Sequence, residues 1–74
     1  MSNPVDLLNT LKDKRKSLGL TQAELAKQIQ VSRKTINTIE NRIFVPSTIL
    51  ALKLAQVLEV SVEDLFQLET ELGD

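Results

Sequence analysis

The 74-residue chain contains no cysteine and no histidine. Without thiols there is neither a disulfide nor a thiolate metal site, and without imidazole the commonest metal ligand and general base are missing. Tryptophan and tyrosine are also absent, and only two glycines and two prolines occur, too few for a glycine-rich phosphate loop. No paired carboxylates mark out a pocket. These absences argue against a metal centre or a resident cofactor, leave no catalytic residue to nominate, and make an enzyme the least favoured class. The apolar residues form short periodic groups that never approach the ~18 residues of a membrane span. The opening MSNPVDLL lacks the basic-then-apolar order of a secretory signal. A cytoplasmic location and no membrane partner are expected.

What is present is a chain of two electrical halves. Residues 1–53 hold all nine Lys and Arg against Asp6, Asp13, Glu24 and Glu40, whereas residues 54–74 carry six carboxylates and no base, for a net charge of -1. The front of the molecule would attract a polyanion despite the total. The length allows one domain, residues 1–74, with a core small enough that near-ideal elements or self-association would be needed to stabilise it.

Start signals predict five helices and no strands. Asn3 followed by Pro4 reads as a cap and first helical residue, opening a helix through Leu8, Leu11 and Leu18 that stops at Gly19. Thr21-Gln22-Ala23-Glu24 is a capping box for a second helix ending near Ile29. Ser32 caps a third through about Asn41, with Ile36 and Ile39 inward and Arg33, Lys34, Asn37 and Thr38 on other faces. Pro46 biases Val45 away from helical dihedrals, so residues 42–46 form a loop, with Phe44 expected as a lid on the core. Ser47 caps a fourth helix, and Ser61 with Asp64 forms a capping box for a fifth carrying Val62, Leu65, Phe66 and Leu68. Residues 70–74 are the one candidate for low order.

The second and third helices are joined between Ile29 and Ser32, the short connection of a helix-turn-helix. Ala26 lies where the two would cross, and a larger side chain there would push them apart. At this point the chain resembles the phage-repressor family of Cro/CI, or xenobiotic-response-element, type. The resemblance is carried by GLTQAELAKQIQVSRKTINTIEN, then Pro46-Ser47, then LALKLAQVLEVSVEDLF, and covers about residues 8–67. It implies an all-α, five-helix, lambda-repressor-like domain whose third helix enters the major groove of double-stranded DNA.

Site roles follow from that resemblance. Ser32, Arg33, Lys34, Asn37 and Thr38 match positions that face base edges. Arg33 and Lys34 carry the chemistry suited to guanine O6 and N7. Gln22 and Asn41 match positions that hold backbone phosphates, Gln22 at a helix N-terminus that already favours an anion, and Arg42 is an added candidate for a phosphate contact. Arg15 and Glu40 match a partly buried ion pair. Leu65, Phe66, Leu68 and Leu72 are candidates for a surface between two copies, because so small a domain cannot bury every apolar side chain. The chain departs from the family at Gln30, Arg42 and Glu59, where glycine is usual. Lys14 also stands at a usually apolar position. If the backbone is left-handed at the three glycine positions, each side chain there costs about 1 kcal/mol.

The leading expectation is a nucleoid-associated homodimeric regulator, a repressor more than an activator, on a palindromic operator with half-sites ~34 Å apart. A second reading is an antitoxin that also neutralises a toxin protein through its acidic end. A third is a protein-interaction module without DNA affinity.

Overall fold

The computed structural model describes residues 6–69, in the order β1 (Asp6–Asn9), α1 (Leu11–Ser17), α2 (Gln22–Ile29), α3 (Arg33–Glu40), α4 (Thr48–Leu58), α5 (Val62–Leu65) and β2 (Phe66–Glu69). Asn3, Pro4, Leu72 and the 70–74 tail lie outside the described residues. Five helices are present as expected. Among the described residues, no helix is long and apolar enough to cross a membrane.

Local hydrogen bonding explains where the helices begin. The hydroxyls of Thr21, Ser32, Ser47 and Ser61 accept the backbone N–H three residues on, satisfying a donor that has no partner within its helix. Glu24 returns the bond by accepting from the Thr21 N–H at 2.8 Å, and Asp64 does the same for Ser61. Gly19, Gln30, Arg42 and Glu59 end or follow helices with φ between 61° and 72°. Three side-chain-bearing residues therefore hold the left-handed conformation that glycine adopts without strain.

Two expectations about the ends of the domain are corrected. Asp6–Asn9 is not the first part of a helix but a strand, and Phe66–Glu69 does not continue α5 but pairs with it antiparallel, Leu7 opposite Leu68 and Asn9 opposite Phe66. The break is made by two polar residues. Asn9 Oδ1 accepts from the Leu11 N–H at 3.2 Å, an Asx-type turn, while its Nδ2 donates to the Ile39 carbonyl at 2.9 Å. Thr10 donates through its N–H to the Leu65 carbonyl and through its hydroxyl to the Asp64 carbonyl. Residues beside α1 are thus tied to the end of α3 and to the junction of α5 with β2.

Each helix contributes to one core: Leu11 from α1, Leu25, Ala26 and Ile29 from α2, Ile36 and Ile39 from α3, Leu54, Ala55 and Leu58 from α4, and Leu65 from α5. At about 1.5–3 kcal/mol for each fully buried large side chain, Ile36 and Ile39 alone anchor the underside of α3 firmly. Leu65 is core and not part of any surface between copies. Phe44 is not the lid expected of it, since it stays 46% exposed.

Candidate nucleic-acid interface

The turn between α2 and α3 consists of Gln30, Val31 and Ser32. Gln30 takes the left-handed conformation, and the Gln30 and Val31 N–H groups close onto the Lys27 and Ala26 carbonyls. This reversal brings α3 back against α2, with Ala26 buried in the core they share. With Ile36 and Ile39 buried beneath α3, its first turn faces solvent.

Ser32, Arg33 and Lys34 are exposed on that turn, and neither cation makes a hydrogen bond or ion pair to another described residue. The Ser32 hydroxyl already caps the helix and lies 3.0 Å from the Thr35 hydroxyl. Asn37 and Thr38 are half-buried one turn further along. The Thr38 hydroxyl donates to the Thr35 carbonyl at 2.9 Å, which holds its rotamer. A guanidinium and an ammonium side by side on a solvent-facing helix can donate to the O6 and N7 acceptors of guanine, whereas Thr38 presents mainly its methyl group.

The residues nominated for phosphate are differently placed. Gln22 is half-buried, and its side-chain Nε2 donates to Glu40 Oε1 at 3.1 Å. Its amide is therefore oriented from within the protein. The Gln22 and Ala23 N–H groups open α2, where no carbonyl of the helix can accept from them and where the dipole favours an anion. Asn41 is exposed, with its side chain donating to the Asn37 carbonyl at 2.8 Å. Arg42 reaches across to β2 and meets Glu69 at 3.1 Å, so any phosphate it met would compete with that carboxylate.

Beneath these residues lies the Arg15–Glu40 pair. Arg15 Nε donates to Glu40 Oε2 at 2.6 Å and its NH2 group to Oε1 at 3.1 Å, while its NH1 group donates to the Leu20 carbonyl at 2.9 Å. Only 8% of the Arg15 side chain and 3% of the Glu40 side chain reach solvent. Burial pushes the Glu40 carboxyl up, but hydrogen bonds from Arg15 and Gln22 and the nearby positive charge outweigh it, so the group titrates below its ordinary value. The bond to Glu40 raises the Arg15 guanidinium further, against burial.

Two connections escape sequence reading: the bond from Gln22 to Glu40 and the bond from Asn9 to the Ile39 carbonyl. Nothing local signals either, since each joins elements far apart in the chain. Among the described residues, no group of His, Cys, Asp or Glu is placed to hold a metal ion.

Comparison with known proteins agrees with this geometry. Residues 11–65 match a family model described as helix-turn-helix. The chain is 38% identical over 63 residues to the uncharacterised HTH-type transcriptional regulator YgzD of Bacillus subtilis, covering 85% of this chain and 96% of that protein. It is 44% identical, with the same coverage, to the HTH-type transcriptional regulator MJ0272 of Methanocaldococcus jannaschii. Among solved structures, the restriction-modification controller protein C.AhdI of Aeromonas hydrophila superimposes with a TM-score of 0.68 at 28% identity, over 73% of this chain and 78% of that one. The SOS-response transcriptional repressor LexA of Eubacterium rectale gives 0.72 at 30% identity, over 86% of this chain and 67% of that one.

Proposed function

Because this chain belongs to the Cro/CI-type helix-turn-helix family, we propose that it is a DNA-binding transcriptional regulator that lays α3 in the major groove and acts as a homodimeric repressor. The observation that carries the reading is the solvent-facing Arg33–Lys34 edge of α3, held outward by the buried Ile36 and Ile39. Arg33 and Lys34 read base edges, with Ser32, Asn37 and Thr38 beside them, and guanine-containing half-sites are favoured. Gln22 and the open amides of α2 grip a phosphate, Asn41 and Arg42 a second stretch of backbone, and these contacts set the register in which α3 is read. Two copies would place two such helices on half-sites ~34 Å apart.

Selection of bound sequences from random duplexes tests this directly, and a palindromic enriched site is expected. On that site log Kd should vary with log salt by about 0.9 per phosphate neutralised. Arg33→Ala should relax preference at individual base pairs, and Gln22→Ala should weaken all sequences alike. Binding without a salt slope would overturn the proposal.

A further inference from the structure

Ser32, Thr35 and Thr38 turn their hydroxyls onto the protein itself. The Thr35 N–H donates to the Ser32 hydroxyl oxygen at 3.1 Å, and the Ser32 and Thr35 hydroxyls lie 3.0 Å apart. Thr38 donates its hydroxyl proton to the Thr35 carbonyl at 2.9 Å. Its own carbonyl accepts from the Ile43 and Phe44 N–H groups at 2.9 and 3.2 Å, which pins the backbone there to the start of the loop. Thr38 is therefore held both at the backbone and in its rotamer, with its one hydroxyl proton already used. A β-branched side chain whose oxygen is turned back onto the preceding turn has its methyl group left to offer a ligand. Lys34, Asn37 and Thr38, three and four residues apart, share the face of α3 opposite the buried Ile36 and Ile39. On that face the Thr38 methyl stands beside an ammonium and an amide.

We propose that Thr38 is a specificity-determining residue that reads the 5-methyl group of a thymine, methyl against methyl, in the major groove. The inference rests on the DNA-binding reading above and deepens it by naming a second base for the half-site. Thymine alone among the four bases displays a methyl group in that groove. A hydroxyl free to rotate both donates and accepts, and so suits either kind of base edge. The Thr38 hydroxyl has lost that freedom to the Thr35 carbonyl, and what remains discriminates by apolar contact. Guanine is then recognised by donation from Arg33 and Lys34, and thymine by exclusion of water between two methyl groups. Thr38 lies about 6 Å further along the helix axis than Lys34, and stacked base pairs are about 3.4 Å apart, so the thymine falls within about two base pairs of the guanine that Lys34 meets.

The test uses the duplex selected by the full chain, with each thymine replaced in turn by deoxyuridine, which differs only in lacking the methyl group. The expected result is a position in the half-site where the replacement lowers wild-type affinity about 3- to 5-fold. Thr38→Ser keeps the hydroxyl and removes the methyl. It should bind the thymine duplex about 3- to 5-fold less tightly per half-site and become indifferent to deoxyuridine at that position, while other positions respond as in wild type. Thr38→Val keeps a methyl and removes the hydroxyl, and should remain sensitive. Thr38 is only half-buried, so both variants should keep the wild-type circular dichroism spectrum. A wild type indifferent to every deoxyuridine, a Thr38→Ser protein as sensitive as wild type, or a sensitivity kept by Thr38→Ser and lost in Thr38→Val would overturn the inference. Any of these in a protein whose duplex binding still weakens with salt would leave the DNA reading standing. Absence of affinity for every duplex would overturn both.

Discussion

Replacing Glu40 by Gln changes one atom's chemistry and leaves the shape almost untouched, yet it should be among the most damaging single substitutions in the domain. The guanidinium of Arg15 would keep its place with only 8% of its side chain in water, facing an amide that can accept one hydrogen bond where the carboxylate accepted two from it. Removing one member of a buried ion pair leaves an uncompensated charge, at about 3–5 kcal/mol. For a domain of this size 1 kcal/mol corresponds to about 4–8 °C in Tm, so a loss of at least ~12 °C is expected. Total stability for such a chain is about 4–11 kcal/mol, so the variant should be partly unfolded at physiological temperature. Arg15→Met combined with Glu40→Met removes both charges together and should sit closer to wild type than either single variant, with a coupling of about 2 kcal/mol or more in a double-mutant cycle. The acid limb gives an independent reading. Glu40 titrates below its ordinary value of 4.5 in the folded protein, so its contribution is complete above that value and is lost as pH falls toward the folded value. Wild type should therefore lose part of its stability on acidification through this window, and Glu40→Gln should lack that part. Thermal unfolding followed by circular dichroism measures both. A Glu40→Gln penalty under about 1 kcal/mol, or identical acid profiles, would refute the reasoning.

Gln30→Gly and Glu59→Gly each replace a residue held at φ 63° and 61°. Relief of about 1–2 kcal/mol of left-handed strain, less glycine's greater freedom when unfolded, should raise stability by about 0.5–1 kcal/mol, visible as a higher midpoint in urea. Glu69→Gln breaks an exposed ion pair and should alter stability by less than about 0.5 kcal/mol. It also leaves Arg42 without that competing carboxylate, so DNA affinity at low salt should rise and the salt slope should steepen by up to about one phosphate's worth. Asn9→Ala strands the Leu11 N–H and takes one of two donors from the Ile39 carbonyl, which keeps the Arg42 N–H at 3.0 Å, and chemical denaturation should show a loss of about 1–2 kcal/mol.

The helix starts were legible in the sequence because their cause is local. Thr21, Ser32, Ser47 and Ser61 each bond to a backbone group three residues away, so the residues that make a start stand next to it. The left-handed positions Gln30, Arg42 and Glu59 were expected from the resemblance alone, which places glycine at each. The strands were hidden for the opposite reason. Leu7-Leu8 and Phe66-Gln67-Leu68 are too short to display a two-residue period, and each fits the helical pattern beside it. What makes them strands is one another, across most of the chain's length. Phe44 followed the same logic: a large apolar side chain reads as core wherever it stands, and only the fold reveals that the core is already complete without it. Within the candidate interface, the Arg33–Lys34 edge was readable from helical spacing. The tether from Glu40 to Gln22 was not, because it needs the crossing of α2 and α3 to exist first.

The pairing of β1 with β2 also means that the ends of the described chain leave the domain side by side, at Asp6 and Glu69. A segment joined directly before Asp6 and another joined directly after Glu69 would emerge from the same corner. A deletion reaching back past Phe66 would not merely shorten the protein. It would unzip the opposite end, slacken the Asn9 tie to the last turn of α3, and so blur the helix that carries Arg33 and Lys34 from a cut made more than twenty residues away.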